Sequence, residues 1–591
     1  MRFFAIVLIL AFASAACSIG NPISHAYQDP KKGVEQRAED LLRRMTDDEK
    51  MEMLRGSGAM LTRPISRLSV PAIQLADPVT AYPPDVAMAA TWDTKLTGRV
   101  ARLLALDALA HGRDQVLGPD VTRTGYGEDP WLAARLAVAY VSAMQNEGVI
   151  PTLTNFPGTN STDERVLNEI YLPPFRSAIE EIGLWSIQSG STDPHVLTDI
   201  LKYNWGFKGF VIAQAGAVRD PLAAAQAGID LEMPGVDLKP FVAQGRLGRD
   251  AVDDKVRRIL RAMFATTVFD RGQQAKNQTI TPEHRFVAHE AAVESIILLK
   301  NDLLKNDGYV LPLQTEKGRN IALIAPHPLE RIQARAGSRF HVEYAPTGSP
   351  SAAADLARRS DVAVVFADSP ALVEAVAKAN RRTVVVLGTA SLANVAASAR
   401  QAPAILCAWD TEREDGQAIA EILFGDANPS GKLPITVAKE PPDSAGIYVG
   451  YRYFDQHTIE PLFPFGHGLS YTAFEYTDLK ISPQTPRYGQ LVQVTLNVRN
   501  RGSRAGAEVV ELYVHQAKSS ADRPPKELKA FSRVELKPGE TQTVSFELDR
   551  HAMSFYDPLV KDWGTEPGVF DLLVGSSSRD IRLKGSLELF R

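Results

Sequence analysis

The sequence predicts an α/β chain in three consecutive parts: a (β/α) TIM-like barrel over residues 35–270, an α/β sandwich over 287–474 and a C-terminal β-sandwich over 475–591. Three hydrophobic patterns mark them. Up to residue 270, short apolar strands alternate with helices whose apolar residues recur at three and four. From 287, continuous apolar strands alternate with helices, and from about 475 the period falls to two with no helix between strands.

The chain opens with MRFFAIVLILAFASAACSIG, one positive residue, an apolar run from Phe3 to Phe12 and then small residues, which reads as a secretory signal over residues 1–17. The expected location is therefore exported, periplasmic or extracellular. Cys17 follows Ser14, Ala15 and Ala16 and is a candidate lipid anchor, which would make the protein a membrane-anchored lipoprotein; cleavage near Ala15 or Ala16 is the alternative. No other stretch has the roughly 18 uninterrupted apolar residues of a membrane span.

In the first part, strand candidates are 70–77, 113–121, 148–156, 184–191, 209–216 and 227–235, with helices such as 129–148 and 194–206 between them. Functional residues of such a barrel gather at strand C-termini, where Asp77, Asp120, Asn155, Gln214 and Glu232 fall. In the second part, 287–301 reads as an amphipathic helix running into a strand, and 320–326, 361–369, 382–390 and 403–409 are apolar runs suited to a parallel sheet covered on both faces. In the third, 491–500, 507–516, 541–550 and 568–577 alternate between Gly- and Pro-containing turns.

Composition narrows the function. A net charge of −5 with 23% charged residues and no basic run leaves no footprint for nucleic acid. With Cys17 in the signal, Cys407 has no disulfide partner and reads as a buried strand cysteine, and the 11 histidines show no paired ligand spacing. No metal and no cofactor are predicted.

Over nearly the whole mature chain the sequence resembles glycoside hydrolase family 3, the β-glucosidase family. The phrases that carry the resemblance are MAATWD (88–93), EDPWLAARLAVAYVSAMQNEGVI (128–150), LNEIYLPPFRSAIEE (167–181), LTDILKYNWGFKGFVI (197–212), AGIDLEMPG (227–235), LFGDANPSGKLPIT (423–436), GIYVGYRYFD (446–455) and EPLFPFGHGLSY (460–471). The resemblance implies that 35–270 is the family's N-terminal barrel, 287–474 its C-terminal α/β sandwich and 475–591 a fibronectin-III-like domain. It also implies a β-linked sugar or oligosaccharide as ligand.

The catalytic positions depart from that pattern. The family's nucleophile is an aspartate in a phrase like VVSDWGAV, paired with a glutamate acid/base on the sandwich; retaining hydrolysis needs two such carboxylates about 5 Å apart. This chain reads VIAQAGAV, so Gln214 stands at the nucleophile position, and an amide is neither nucleophile nor proton acceptor at neutral pH. The segment after VVFADS that would carry the glutamate is missing. The Lys-His sugar-binding pair is replaced by Thr154 and Asn155, and the loop arginine has only an approximate substitute in Arg123. Asp77 matches the sugar-binding aspartate but lacks the following glycine, so a turn cap is an equal reading. Asp77, Arg123, Thr154 and Asn155 are the candidate substrate-binding residues; no catalytic residue is assigned.

Structural readings prevail elsewhere. Asp129 before Pro130 reads as a helix N-cap, Asp163 and Glu164 as a polar helix start, and Glu128, Glu232 and His467 as framework. His327 reads as a structural histidine, and Asp410 and Glu412 as a solvated loop. The expected function is an exported β-glucosidase-like protein of carbohydrate metabolism that has lost retaining hydrolysis, a pseudoenzyme that binds a β-glycoside weakly. The alternatives are an active β-glycosidase with relocated carboxylates, and a scaffold protein whose barrel mouth is closed.

Overall fold

The computed structural model describes residues 25–77, 82–157, 159, 161–271, 281–305, 308–313, 320–409, 416–440 and 446–591. The signal segment with Cys17, and Asp410 and Glu412, lie outside the described residues.

The first part is an open parallel sheet in the order β1 (Leu75–Ala76), β2 (Gln115–Asp120), β3 (Ile150–Phe156), β4 (Ser186–Ser189) and β5 (Phe210–Ala213). It forms half a barrel. The sixth strand expected over 227–235 is reduced to two parallel bridges, Ile212 to Leu231 and Arg55 to Glu232. The cause is local: the Asp230 carboxylate accepts the Val211 N–H at 2.8 Å, and Pro234 has no N–H to extend a ladder. Inside the sheet, Gln115 donates to Thr152 Oγ1 (2.7 Å) and Ser186 Oγ (3.0 Å), tying β2, β3 and β4 through fully buried polar side chains.

The second part has a six-stranded sheet. Asn320–Ala325, His341–Pro346, Val362–Phe366, Thr383–Leu387 and Ala404–Cys407 run parallel, with Ile297–Asn301 antiparallel at the edge. His341–Pro346 escaped the sequence reading because it is an edge strand with little apolar content, its residues mostly exposed or half-buried. Cys407 is fully buried. The third part packs a three-stranded sheet (Phe474–Ser482, Val492–Asn500, Thr541–Leu548) on a four-stranded one (Glu527–Leu536, Gly506–Gln516, Gly568–Gly575, Ile581–Leu589) around a Val- and Leu-rich core.

The EDPW phrase joins all three parts. Glu128, fully buried, accepts from Thr436 Oγ1 (2.6 Å), Thr436 N (2.7 Å) and Tyr451 N (2.7 Å). Gly450 must be glycine, because a Cβ there would lie 2.1 Å from the Glu128 carboxyl carbon and its φ is +56°. Asp129 caps the Pro130–Asn146 helix with one oxygen and accepts from Tyr451 OH (2.9 Å) and Arg452 Nη2 (2.8 Å) with the other. Tyr451 OH in turn accepts the Leu528 N–H of the β-sandwich at 2.9 Å.

Beside this joint lies Glu511, fully buried, its one hydrogen bond coming from Tyr513 and its Oε1 without a partner among the described residues. Burial pushes its carboxyl up to about 8; the Tyr513 hydrogen bond and Lys432 oppose that, while Glu508 and Asp129 add to it. Between the ordinary carboxyl value and about 8 the folded chain keeps a proton that the unfolded chain has lost, so this group makes stability fall as pH rises through that window. Glu511→Gln should be little changed in melting temperature near pH 5 and more stable than the parent at pH 8 to 9. A parallel pH profile for both proteins would contradict this.

Candidate functional site

Parallel register sets the strand ends side by side: Ala76 pairs with Val116, Asp120 with Thr154, Phe156 with Ser189, and Ser189 with Ala213. Asp77, Asp120, Thr154, Asn155 and Gln214 therefore line one edge, where a parallel sheet with helical crossovers presents its site. Asp77 and Gln214 are exposed there, while Thr154 and Asn155 are half-buried.

Gln214 follows β5 directly and its N–H donates to Ser189 O at 2.8 Å. Its side chain lies against Gly190 in the next loop, where a Cβ would come within 2.6 Å of Oε1. The β5 terminus thus presents an uncharged amide. Asn155 sits in the left-handed region at φ 66°, a conformation asparagine tolerates better than most residues.

The short loops close on their own side chains. Asp120 Oδ1 accepts Thr122 N (2.9 Å) and Thr122 Oγ1 (2.7 Å), and Oδ2 accepts Thr124 Oγ1 (2.7 Å). A Cβ at Gly125 would lie 1.8 Å from Asp120 O, so the turn is compact only with glycine. Arg123 is carried at its exposed tip, and its charge acts on Glu128. After β4, Ser191 N donates to Ser189 Oγ, Asp193 N to Ser191 Oγ and His195 N to Asp193 Oδ1, a chain of local turns.

The carboxylates near this edge have structural partners. Asp163 caps the Glu164–Val166 helical turn. Glu164 contacts His195 Nε2, and Asp199 lies 3.2 Å from His195 Nδ1. Burial opposes charge on His195, but its two acidic partners outweigh it and hold the imidazole above its ordinary value. Glu232 is raised by burial, against the pull of the Val236 N–H.

Asp85 was missed in the sequence. It opens the Asp85–Thr91 helix, and its Oδ2 accepts the Asp120 N–H at 2.9 Å. Burial pushes its carboxyl up to about 6; the Asp120 N–H opposes the shift and the Asp120 charge adds to it. Nothing in YPPDVAMAA separates Asp85 from an ordinary first-turn acid, since its partner is 35 residues away. His195 was missed for the same reason, with Glu164 31 residues away. His327 is exposed, and His467 donates from Nε2 to Leu299 O at 2.8 Å within the framework.

On the sandwich side, Val362–Phe366 runs within three residues to Ser369, which caps the Pro370–Ala379 helix by accepting Leu372 N at 3.4 Å. The passage is Ala367, Asp368 and Ser369, with Asp368 exposed and no inserted loop.

A parallel half-barrel with an α/β sandwich and a β-sandwich locked to it defines a multidomain protein of the α/β-barrel class, whose ligand edge is the strand C-termini. The chain belongs to glycosyl hydrolase family 3: the family's N terminal domain matches residues 72–262, its C-terminal domain 303–471, and a fibronectin type III-like domain 508–578. Thermostable beta-glucosidase B of Acetivibrio thermocellus is 32% identical, with the alignment covering 93% of this chain and 88% of that protein. The crystal structure of beta-D-glucoside glucohydrolase from Trichoderma reesei superposes with a TM-score of 0.86 at 27% identity, covering 95% of this chain and 99% of that one. Beta-glucosidase 3B of Thermotoga neapolitana, solved in complex with glucose, gives 0.83 at 26% identity over 94% and 99%.

Proposed function

We propose that the chain is an exported β-glucosidase-like protein that holds the terminal sugar of a β-glycoside weakly and no longer carries out retaining hydrolysis. The observation that carries this is Gln214: an exposed amide, held against Gly190, stands where the strand end would have to supply a nucleophile. The short passage from Phe366 to Ser369, with no inserted loop and Asp368 as its one carboxylate, supports the loss of the family's acid as well.

Sugar binding rests on Asp77, an exposed carboxylate able to accept two hydroxyls, flanked along the sheet edge by Thr154 and Asn155. Exposure of both Asp77 and Gln214 weighs against a mouth filled by side chains. Export rests on the signal-like N-terminus. Asp77→Ala should abolish the NMR shifts that a methyl β-glucoside induces at the barrel edge, whereas unchanged shifts there would make Asp77 a purely structural residue.

A second reading draws on Asp85 and Asp120. Burial raises the Asp85 carboxyl toward neutrality, and the neighbouring Asp120 accepts hydroxyl and N–H donors, which puts two carboxyl groups in unlike surroundings side by side. Relocated catalysis would be centred there, and Asp85→Asn distinguishes it: turnover by the parent that this variant loses would favour it.

A further inference from the structure

A cleft of about 740 Å³ opens between the α/β sandwich and the β-sandwich, away from the barrel strand ends. Its volume lies within the range of about 300–1,000 Å³ usual for small-molecule sites. Lys432, His467, Glu508, Asp580 and Arg582 line it, with Tyr309 and Leu469 at its lips.

The cationic groups of the wall are spent on the protein. Lys432 Nζ is bound to Gly468 O (3.0 Å), Ser576 O (3.2 Å) and Glu508 (2.9 Å). Arg582 donates to Asp580 Oδ2 (2.8 Å), Ser576 Oγ (3.0 Å) and Phe474 O (3.1 Å). Two positive side chains face two carboxylates, so neither an anion nor a cation meets unbalanced charge.

The wall leaves acceptors over. His467 donates from Nε2 to a carbonyl, and burial holds the ring below its ordinary value, so it is neutral and Nδ1 is an acceptor. Asp580 Oδ1 has no donor among the described residues, since its hydrogen bonds all end on Oδ2. At the lips, Tyr309 is 55% and Leu469 40% exposed, offering apolar faces to the C–H side of a pyranose.

We infer that this cleft is a second binding site, for a neutral oligosaccharide. Hydroxyl donors meet the spare acceptors, ring faces meet Tyr309 and Leu469, and the internally paired charges set the surrounding polar wall. The inference does not depend on what the barrel edge does.

The test is hydrogen exchange and calorimetry on the full chain with cellotetraose, and with inorganic sulfate as the anionic probe. Cellotetraose at a concentration near the parent's Kd should protect amides 465–474 and 574–582, sulfate should not, and Tyr309→Ala should weaken cleft binding about ten-fold and so remove most of that protection. Asp77→Ala should leave that protection intact, which separates this site from the barrel edge. Exchange in those segments unaltered by cellotetraose, protection undiminished in Tyr309→Ala, or equal protection by sulfate would overturn the inference.

Discussion

Gln214→Asp is expected to revive slow cleavage of nitrophenyl β-glucosides while leaving a natural disaccharide near background. The substitution restores a carboxylate at the exposed end of β5 and shortens the side chain by one methylene, freeing it from Gly190. A nitrophenolate leaves without protonation, but a sugar alkoxide does not, and the passage from Val362–Phe366 to the helix capped by Ser369 has no inserted loop, its single carboxylate being the exposed Asp368. General acid assistance is worth about 10²–10⁴-fold, so the two substrates should separate by that much in the variant. Equal gains on both would mean that an acid is already in place, and would point to Asp85.

The largest expected loss of stability is in Asp129→Ala. Arg452 is 2% exposed and Asp129 is fully buried, so the variant leaves a guanidinium without its counter-charge in a site where Nε and Nη1 already have no partner among the described residues. Removing one member of such a pair costs about 3–5 kcal/mol, and the lost N-cap adds about 1 kcal/mol. Because Tyr451 links Asp129 to the Leu528 N–H, the damage falls on the joint between the three parts. Thermal unfolding by calorimetry should show the parent's main transition lowered and split into separate steps. Asp129→Asn, which keeps an acceptor for the helix N–H groups, should retain the cap but still lose the charge pairing. A melting profile unchanged in Asp129→Ala would show that the joint does not hold the parts together.

Much of the architecture was legible because period and length are local properties. Five of the six expected barrel strands form, and the sixth fails where Asp230 takes a ladder N–H for its own carboxylate, a contact no periodicity signals. The edge strand His341–Pro346 was hidden because it buries too little to look apolar. Among site residues, Asp77, Asp120, Asn155 and Gln214 could be placed at strand ends from the alternation, while Thr154 came with the family resemblance. Asp85 could not, since its raised carboxyl arises from burial beside Asp120, and burial at a turn is set by tertiary packing. The same holds for the Glu164 and His195 contact, made between two helix starts that are ordinary when read separately. Shortened loops were visible as missing residues, but how they close was not: that depends on hydroxyl and carboxylate caps at Asp120, Ser189, Ser191 and Asp193.

The central claim is that the Gln214 protein does not carry out retaining hydrolysis. It is tested most directly by measuring turnover of cellobiose by the purified unmodified chain, with Asp85→Asn and Asp77→Ala alongside. Glucose release should stay at the rate of the buffer blank in all three, with weak binding at the barrel edge detectable in the parent and lost there in Asp77→Ala. Robust release by the parent, abolished in Asp85→Asn, would contradict it and place relocated chemistry at the end of β2.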